Sequence, residues 1–403
     1  MEHKKYRYIL STLFLTIIVV GGLSTLVLNP KKIAGGLARG YLNADADSSI
    51  FEKIENGFIT FEDRVNTFFV AHDASINTYG GIQRLMGRTH VDDPSISNQV
   101  LKLKNGYLIF EPKARTYDDT SHVEYVSDLS SVCEENGIDF LYVSRPSKGR
   151  DPSLYPDNYP NKESDHTGET VNKLNTEGVD TINLTDKIEK EGLNLYDLFY
   201  KTDHHWTSNA GLWGAREISA ELNARYGYGL DISLLDESQY EVEHYDNVYL
   251  GSQGRRVGEY FAGMDDFDII WPKFETSFHV EYYNADGNYS GDFSAVFLFR
   301  EQLNFERPLT LDTIDYDVYM EGNHELIQCH NHLADNDIKC LIMINSFGCV
   351  LCPFLALEFS ELDCIDVRSF TEQSVADYIR ETQPDVVVYM LNRGEDQGVA
   401  AWE

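Results

Sequence analysis

Lys339-Cys340-Leu341-Ile342-Met343-Ile344 is an apolar run of strand length that breaks abruptly into Asn345-Ser346-Phe347-Gly348. A strand apolar on successive residues is buried on both faces, which is the habit of a parallel sheet covered by helices. The segments that follow repeat the pattern. Gly348 to Phe359 predicts a helix, with Pro353 tolerable only in its first turns. Leu362 to Val367 predicts a strand, Gln373 to Glu381 a helix, and Asp385 to Met390 another strand after Pro384. Strands alternating with helices imply an α/β domain, a parallel sheet flanked by helices on both sides.

Upstream the alternation continues. Val123, Val126, Leu129 and Cys133 make a helical stripe, Ile138 to Val143 a buried strand, and Val179 to Ile182 a second one. Val100 to Phe110 reads as a hairpin whose tight turn is Lys104-Asn105-Gly106. Phe51 to Tyr79 carries apolar residues at helical spacing. Residues 237–330 are rich in Tyr, Phe, Asp and Gly without helical period, and read as a β-rich insertion.

The N-terminus differs. Lys4, Lys5 and Arg7 precede an uncharged stretch from Ile9 to Leu28, and Lys31 and Lys32 close it. About 20 apolar residues match a bilayer core. No small-residue cleavage site follows, so an uncleaved signal anchor is expected, with the short basic flank in the cytoplasm and the body outside. The expected organisation is a cytoplasmic tip and anchor over 1–34, a linker and packing helix over 35–95, and one α/β domain over 96–403 with the insertion at about 237–330.

The net charge of −33 repels phosphate backbones and argues against nucleic-acid binding. Six cysteines are too sparse for a disulfide scaffold. Cys349-x-x-Cys352 has no second pair to complete four metal ligands, and Cys329-His330-Asn331-His332 is equally incomplete. Buried thiols or one local disulfide are expected, with no metal and no cofactor.

Open α/β sheets place ligands beyond the carboxyl ends of their strands. Ser346 stands there, and the N–H groups of Phe347 and Gly348 are candidate oxyanion donors. Asp203-His204-His205-Trp206 supplies the other parts. In extended backbone residues i and i+2 point the same way, so Asp203 can hold Nδ1–H of His205 while Nε2 faces a serine. His204 would point elsewhere. Thr207 or Ser208 would cap the helix that follows. On spacing alone, this cluster fits catalysis and simple packing equally.

The stretch Tyr200 to Thr207, with Gly211 and Ala215, resembles the DHHW family of bacterial surface proteins and the Asp-x-His-Trp segment of the alginate O-acetylation proteins. Asn105-Gly106-Tyr107-Leu108-Ile109, Arg145-Pro146-Ser147-Lys148 with Tyr155-Pro156, Gly251 to Gly258 with Asp265-Asp266, and Asn345-Ser346-Phe347 with Pro353-Phe354-Leu355 resemble further blocks of that family. The resemblance implies an SGNH-hydrolase-like fold, with Ser346 as nucleophile, His205 as base and Asp203 as its orienter. Gly322-Asn323 resembles a loop supplying oxyanion donors. Where the family has Asp, this chain has Asn345.

The implied activity is extracytoplasmic acyl transfer, an O-acetyltransferase acting on surface or exported polysaccharide. A membrane-bound O-acyltransferase partner would supply the acetyl group. A carbohydrate esterase and an inactive glycan-binding scaffold are the alternatives. Arg145, Lys148, Arg255, Arg256 and Trp206 are candidate substrate contacts. Those four cations fit either a polar or anionic group of the substrate or pairing with local carboxylates. Tyr245, Tyr249, Tyr260, Phe261 and Trp271 fit sugar stacking or ordinary core packing.

Overall fold

A computed structural model describes residues 2–395, apart from 44–47, 71, 92–98, 112–117, 158, 161, 163–165, 284–286, 304, 306–310 and 312–314. The chain divides into two compact units, Met1–Ile82 and Gln83–Glu403.

The first unit is helical: α1 Glu2–Leu28, α2 Pro30–Leu42, α3 Ile50–Thr67 and the start of α4, His72–Leu85. The helix expected over Phe51 to Tyr79 is thus two helices, broken between Thr67 and His72. Among the described residues no helix is long and apolar enough to cross a membrane. The helix expected at Ile9 to Leu28 is present as part of α1, Glu2–Leu28.

The second unit runs β1 His90–Val91, β2 Val100–Lys102, β3 Leu108–Phe110, α5 Thr120–Glu135, β4 Asp139–Ser144, α6 Thr167–Thr176, β5 Thr181–Asn183, α7 Leu184–Glu191 and α8 Ser208–Tyr226. It continues with β6 Tyr240–Tyr249, α9 Ser252–Val257, α10 Glu259–Ala262, β7 Asp265–Pro272, β8 Phe278–Tyr282, β9 Asn288–Gly291 and α11 Phe293–Phe297. The last stretch is β10 Leu326–Asn331, β11 Lys339–Ile344, α12 Cys352–Leu355, β12 Glu361–Asp366, α13 Val375–Thr382 and β13 Val386–Tyr389.

Eight strands form one sheet in the order β5-β4-β13-β11-β12-β10-β8-β9. The five from β5 to β12 are parallel, while β10, β8 and β9 extend the sheet by antiparallel pairing. The expected parallel sheet is therefore a mixed one. Three strands of the expected insertion at 237–330, β8, β9 and β10, complete it, while β6 and β7 form a separate two-stranded ribbon. Phe278, Val280 and Tyr282 alternate buried with half-buried neighbours, the period-2 pattern of a strand covered on one face.

Alternate residues of the parallel strands enter opposite cores. Leu141, Ile342 and Val388 join Leu212, Ala215 and Ile218 of α8. Tyr142, Leu341 and Val387 join Val126 and Leu129 of α5, Leu174 of α6 and Ile379 of α13. Helices on both faces are what the continuous apolar runs required.

The long helix expected from Gly348 to Phe359 is not formed. A 3-10 turn spans Ser346–Val350, and α12 lasts a single turn with Pro353 near its start. The Asn345 side chain accepts from Phe347 N at 3.1 Å, capping the tight turn, and Pro353, lacking an N–H, restarts the helix. The serine is thereby held at the carboxyl end of the central strand β11.

Candidate active site

The DHHW segment occupies a bend, not an extended strand. Tyr200 N–H donates to His205 O at 3.3 Å and Thr207 N–H to Leu198 O at 2.9 Å, closing the loop on itself. Asp203 Oδ1 accepts from His205 N at 2.9 Å, so the carboxylate and imidazole meet through a local side-chain turn rather than by strand alternation. Thr207 then caps α8, accepting from Ala210 N at 3.2 Å. Trp206, fully buried, donates from Nε1 to Phe347 O at 3.0 Å and so ties the histidine loop to the serine turn. At Gly211 of α8 a Cβ would lie 2.1 Å from Val350 O; only glycine lets this helix press on that turn.

His205 Nε2 stands 2.7 Å from Ser346 Oγ. Its Nδ1 lies 2.7 Å from Asp203 Oδ1, with the N–H poorly aligned with the oxygen. Asp203 Oδ2 accepts from Tyr249 OH at 2.8 Å and Ser252 N at 2.6 Å. Burial by itself would raise the Asp203 carboxyl, but His205, His204 and their hydrogen bonds hold it well below the usual carboxylate range. Burial pushes His205 down to about 4, the neighbouring His204 charge adds to this, and Asp203 opposes it. At neutral pH the pair is a carboxylate beside a neutral imidazole, the state a general base requires.

The surrounding shell fixes these two side chains. Tyr316 lies flat on the His205 ring, with centroids 4.1 Å apart and planes 8° from parallel. Lys148 Nζ donates to Tyr200 O at 2.9 Å, to Gln253 Oε1 at 3.1 Å and to Asp203 O. Asp265 accepts from Lys201 N and Thr202 N, each at 2.8 Å, and from Thr202 Oγ1 at 2.6 Å. Gly251 passes so close that a Cβ there would sit 2.2 Å from Asp203 Cβ.

The structure brings Asp203, His205 and Ser346 together, and it revises several other expectations. His204 does not point away. Its ring centroid is 3.7 Å from that of His205 and its Nδ1 is 2.7 Å from Ser252 Oγ. Phe347 N–H is taken by Asn345 Oδ1 and Gly348 N–H by Asn345 O at 2.8 Å, so neither is free to meet an oxyanion. The amide at 345 thus braces the turn as a carboxylate oxygen would. Gly322 is buried at φ +87. Asn323 is exposed, and its Oδ1 accepts from Arg368 Nη2 at 3.3 Å and approaches Cys349 Sγ at 3.8 Å.

Lys148 and Trp206, expected at the substrate, are buried braces: Lys148 donates to Tyr200 O, Asp203 O and Gln253 Oε1 while still lining the cleft, and Trp206 donates to Phe347 O of the serine turn. Arg256 lies over the Phe110 ring at 4.9 Å. Arg255 opposes the burial that raises Asp317 to about 6. Tyr249 serves Asp203, Phe261 lies under Lys102, and Trp271 is covered by Arg300 at 5.1 Å. Arg145 is only 2% exposed, stacks on Phe347 at 3.7 Å and pairs with Glu395.

A cleft of about 350 Å³ opens beside the serine turn, with Phe347, His204, Arg145, Arg150, His166 and Arg393 among its walls. Two groups among the described residues have metal-like spacing, Asp203 with His204 and His205, and His244 with Asp246 and Asp266. In the first, the Asp203 oxygens already accept from His205 N, Tyr249 OH and Ser252 N.

All six cysteines are free and buried. Tyr316 carried no sequence signal, since nothing in Asp315-Tyr316-Asp317 marks it as a neighbour of a residue over a hundred positions earlier. Asp265 stood inside a recognised block, but its bracing role needed coordinates.

Residues 109–250 match the family model described as an SGNH hydrolase-like domain, acetyltransferase AlgX. Among curated proteins no sequence matches the chain. The structure of Bacillus cereus PatB1 with a sulfonyl adduct superposes with a TM-score of 0.58 at 18% identity, covering 74% of this chain and 95% of that one. A DHHW family protein from Eubacterium siraeum superposes with a TM-score of 0.55 at 17% identity, covering 75% of this chain and 93% of that one. The chain therefore carries an SGNH hydrolase-like domain that resembles both the acetyltransferase AlgX family and the DHHW proteins.

Proposed function

We propose that the protein is a serine acyl-transfer enzyme, anchored by α1 with its body outside the cytoplasm, that places acetyl groups on a polysaccharide. The observation that carries this reading is the 2.7 Å contact of Ser346 Oγ with a His205 whose other nitrogen faces Asp203. Ser346 Oγ attacks the acyl carbonyl carbon while its proton passes to His205 Nε2. The imidazolium returns that proton to the leaving alcohol, giving acyl-Ser346. A sugar hydroxyl then gives its proton to His205 and attacks the acyl carbon, and the serine is restored as its oxygen regains the proton. The oxyanion needs donors other than Phe347 and Gly348. We assign that role to the Asn323 amide, whose oxygen is anchored by Arg368 Nη2 at 3.3 Å.

Outside the cell there is no acetyl-CoA, so a membrane-bound O-acyltransferase is the proposed donor. Exposed apolar residues of α1, among them Leu15, Val19, Leu23 and Val27, support the anchor. Arg145, Arg150, His166 and Arg393 line the cleft together with Glu395, and the first three pair with Glu395, Glu189 and Glu169, so the lining supports a polar acceptor.

A sulfonyl adduct exists for the similar PatB1, so a sulfonyl fluoride is the first probe, followed by an activated acetyl ester. Intact mass should show one adduct, mapped to Ser346 and absent from Ser346→Ala. No adduct with any of several reagents would favour the inactive scaffold. With an adduct formed, transfer to a glycan hydroxyl distinguishes a transferase from an esterase, which passes the group to water.

The pH dependence has a defined sign. A base must be neutral to accept the serine proton, and the His205 pKa is lowered to about 4 from its ordinary value. Adduct formation should stay level from neutral pH downward and fall only near pH 4. Stability shifts the same way, because the unfolded chain binds the proton first as pH drops. Stopped-time mass measurements across this range, with circular dichroism to confirm folding, check it. A midpoint at the ordinary histidine value would show that burial and His204 do not act on this base.

A further inference from the structure

We propose that α3 lies along a lipid surface with its apolar stripe in the membrane interface. The first unit packs its helices inside out. α2 presents Gly36-Leu37-Ala38-Arg39-Gly40, and these glycines face α3 so closely that a Cβ on Gly36 would meet Arg64 Cγ at 2.5 Å and one on Gly40 would meet Thr60 Oγ1 at 2.3 Å. The face of α3 turned to α2 is therefore Asn56, Thr60 and Arg64, spaced by four residues. Helices that join through small and polar residues with two glycines four apart use the packing mode of membranes, where apolar side chains gain nothing by turning inward.

The apolar side of α3 is elsewhere. Ile50, Phe51, Ile54, Phe58, Phe61 and Val65 share one stripe about 100° wide on a 3.6-residue helix. Phe51 is 80% exposed, Phe58 62% and Ile50 61%. A face of aromatic and branched side chains left to water would cost the unit apolar burial. Glu52, Lys53, Glu55 and Glu62 on the same helix rule out a span, which leaves the interface plane.

Charge does not oppose a lipid occupant. Residues 1–82 hold eight Lys and Arg against eight Asp and Glu, so the whole −33 resides in residues 83–403. This unit therefore carries little of the charge by which the rest of the chain would be repelled from an anionic bilayer. The stripe also belongs to the same unit as the exposed apolar residues of α1.

The test uses the full chain in phosphatidylcholine vesicles. Because the native cysteines are buried, Phe58→Cys can be labelled selectively with an environment-sensitive fluorophore. Ile54→Cys provides a second site on the stripe, and Glu134→Cys an exposed reference. Headgroup-level quencher lipids should dim positions 54 and 58 at least about twofold more than position 134, and lipid should shield them from aqueous iodide. Equal quenching at all three positions would overturn the proposal. So would shielding at 54 and 58 that rises with protein concentration and ignores lipid, since a second copy would then cover the stripe.

Discussion

Replacing His205 by alanine should lower acyl-enzyme formation on the order of 10⁶-fold, and Ser346→Ala, which removes the attacking oxygen, should abolish it. His204→Ala should keep activity within about tenfold. The two rings touch, but only His205 Nε2 reaches Ser346. His204 acts on the base through charge, depressing its pKa behind the larger effect of burial. The His204→Ala enzyme should therefore show its acid limb at higher pH, the shift expected when a like charge is removed. Burst kinetics with a small activated ester across pH would read both quantities. Equal loss from the two alanine variants would mean that both rings serve the reaction directly, as shared metal ligands would.

Lys148→Met should destabilise the second unit by about 3 kcal/mol or more and abolish turnover with it. The ammonium is buried, and its three donors hold Tyr200 O, Asp203 O and Gln253 Oε1. Removing it strands three buried acceptors, each costing about 1–3 kcal/mol when unsatisfied. Two of those acceptors lie on the loop that carries Asp203 and His205, so stability and catalysis fall together. Arginine would not rescue, since a planar fork cannot replace a compact three-way donor at a buried site. Denaturant unfolding beside small-ester turnover checks this. A variant of unchanged stability that loses only transfer to glycan would return Lys148 to the acceptor site.

The residues that meet at the candidate site were legible before any fold was known, but spacing alone fitted packing as well as catalysis. Ser346 follows a strand too apolar to be exposed on either face, and Asp203 with His205 is a pairing that local backbone brings together. Local patterns carry such information because burial and turn chemistry act over a few residues. The same logic misread the sheet beyond β12, where Phe278, Val280 and Tyr282 gave a strand period but nothing about which edge it would join. Strand partners are chosen by long-range closure, not by the strand alone.

The roles of the cations were equally hidden. Arg145, Lys148 and Arg256 look alike in sequence, yet one stacks on Phe347, one is buried as a brace and one lies over Phe110. Their surroundings come from segments far apart in the chain, and desolvation by those segments decides whether a charge meets a ligand or a carbonyl. From its own residues the chain determined a double-faced α/β sheet, a serine beyond its central strand and a histidine loop to meet it. Only tertiary packing decided that Tyr316 would pin the base, that Asn345 would take the turn's N–H groups, and that burial would set the imidazole's proton affinity, because each depends on which distant side chains exclude water from that one place.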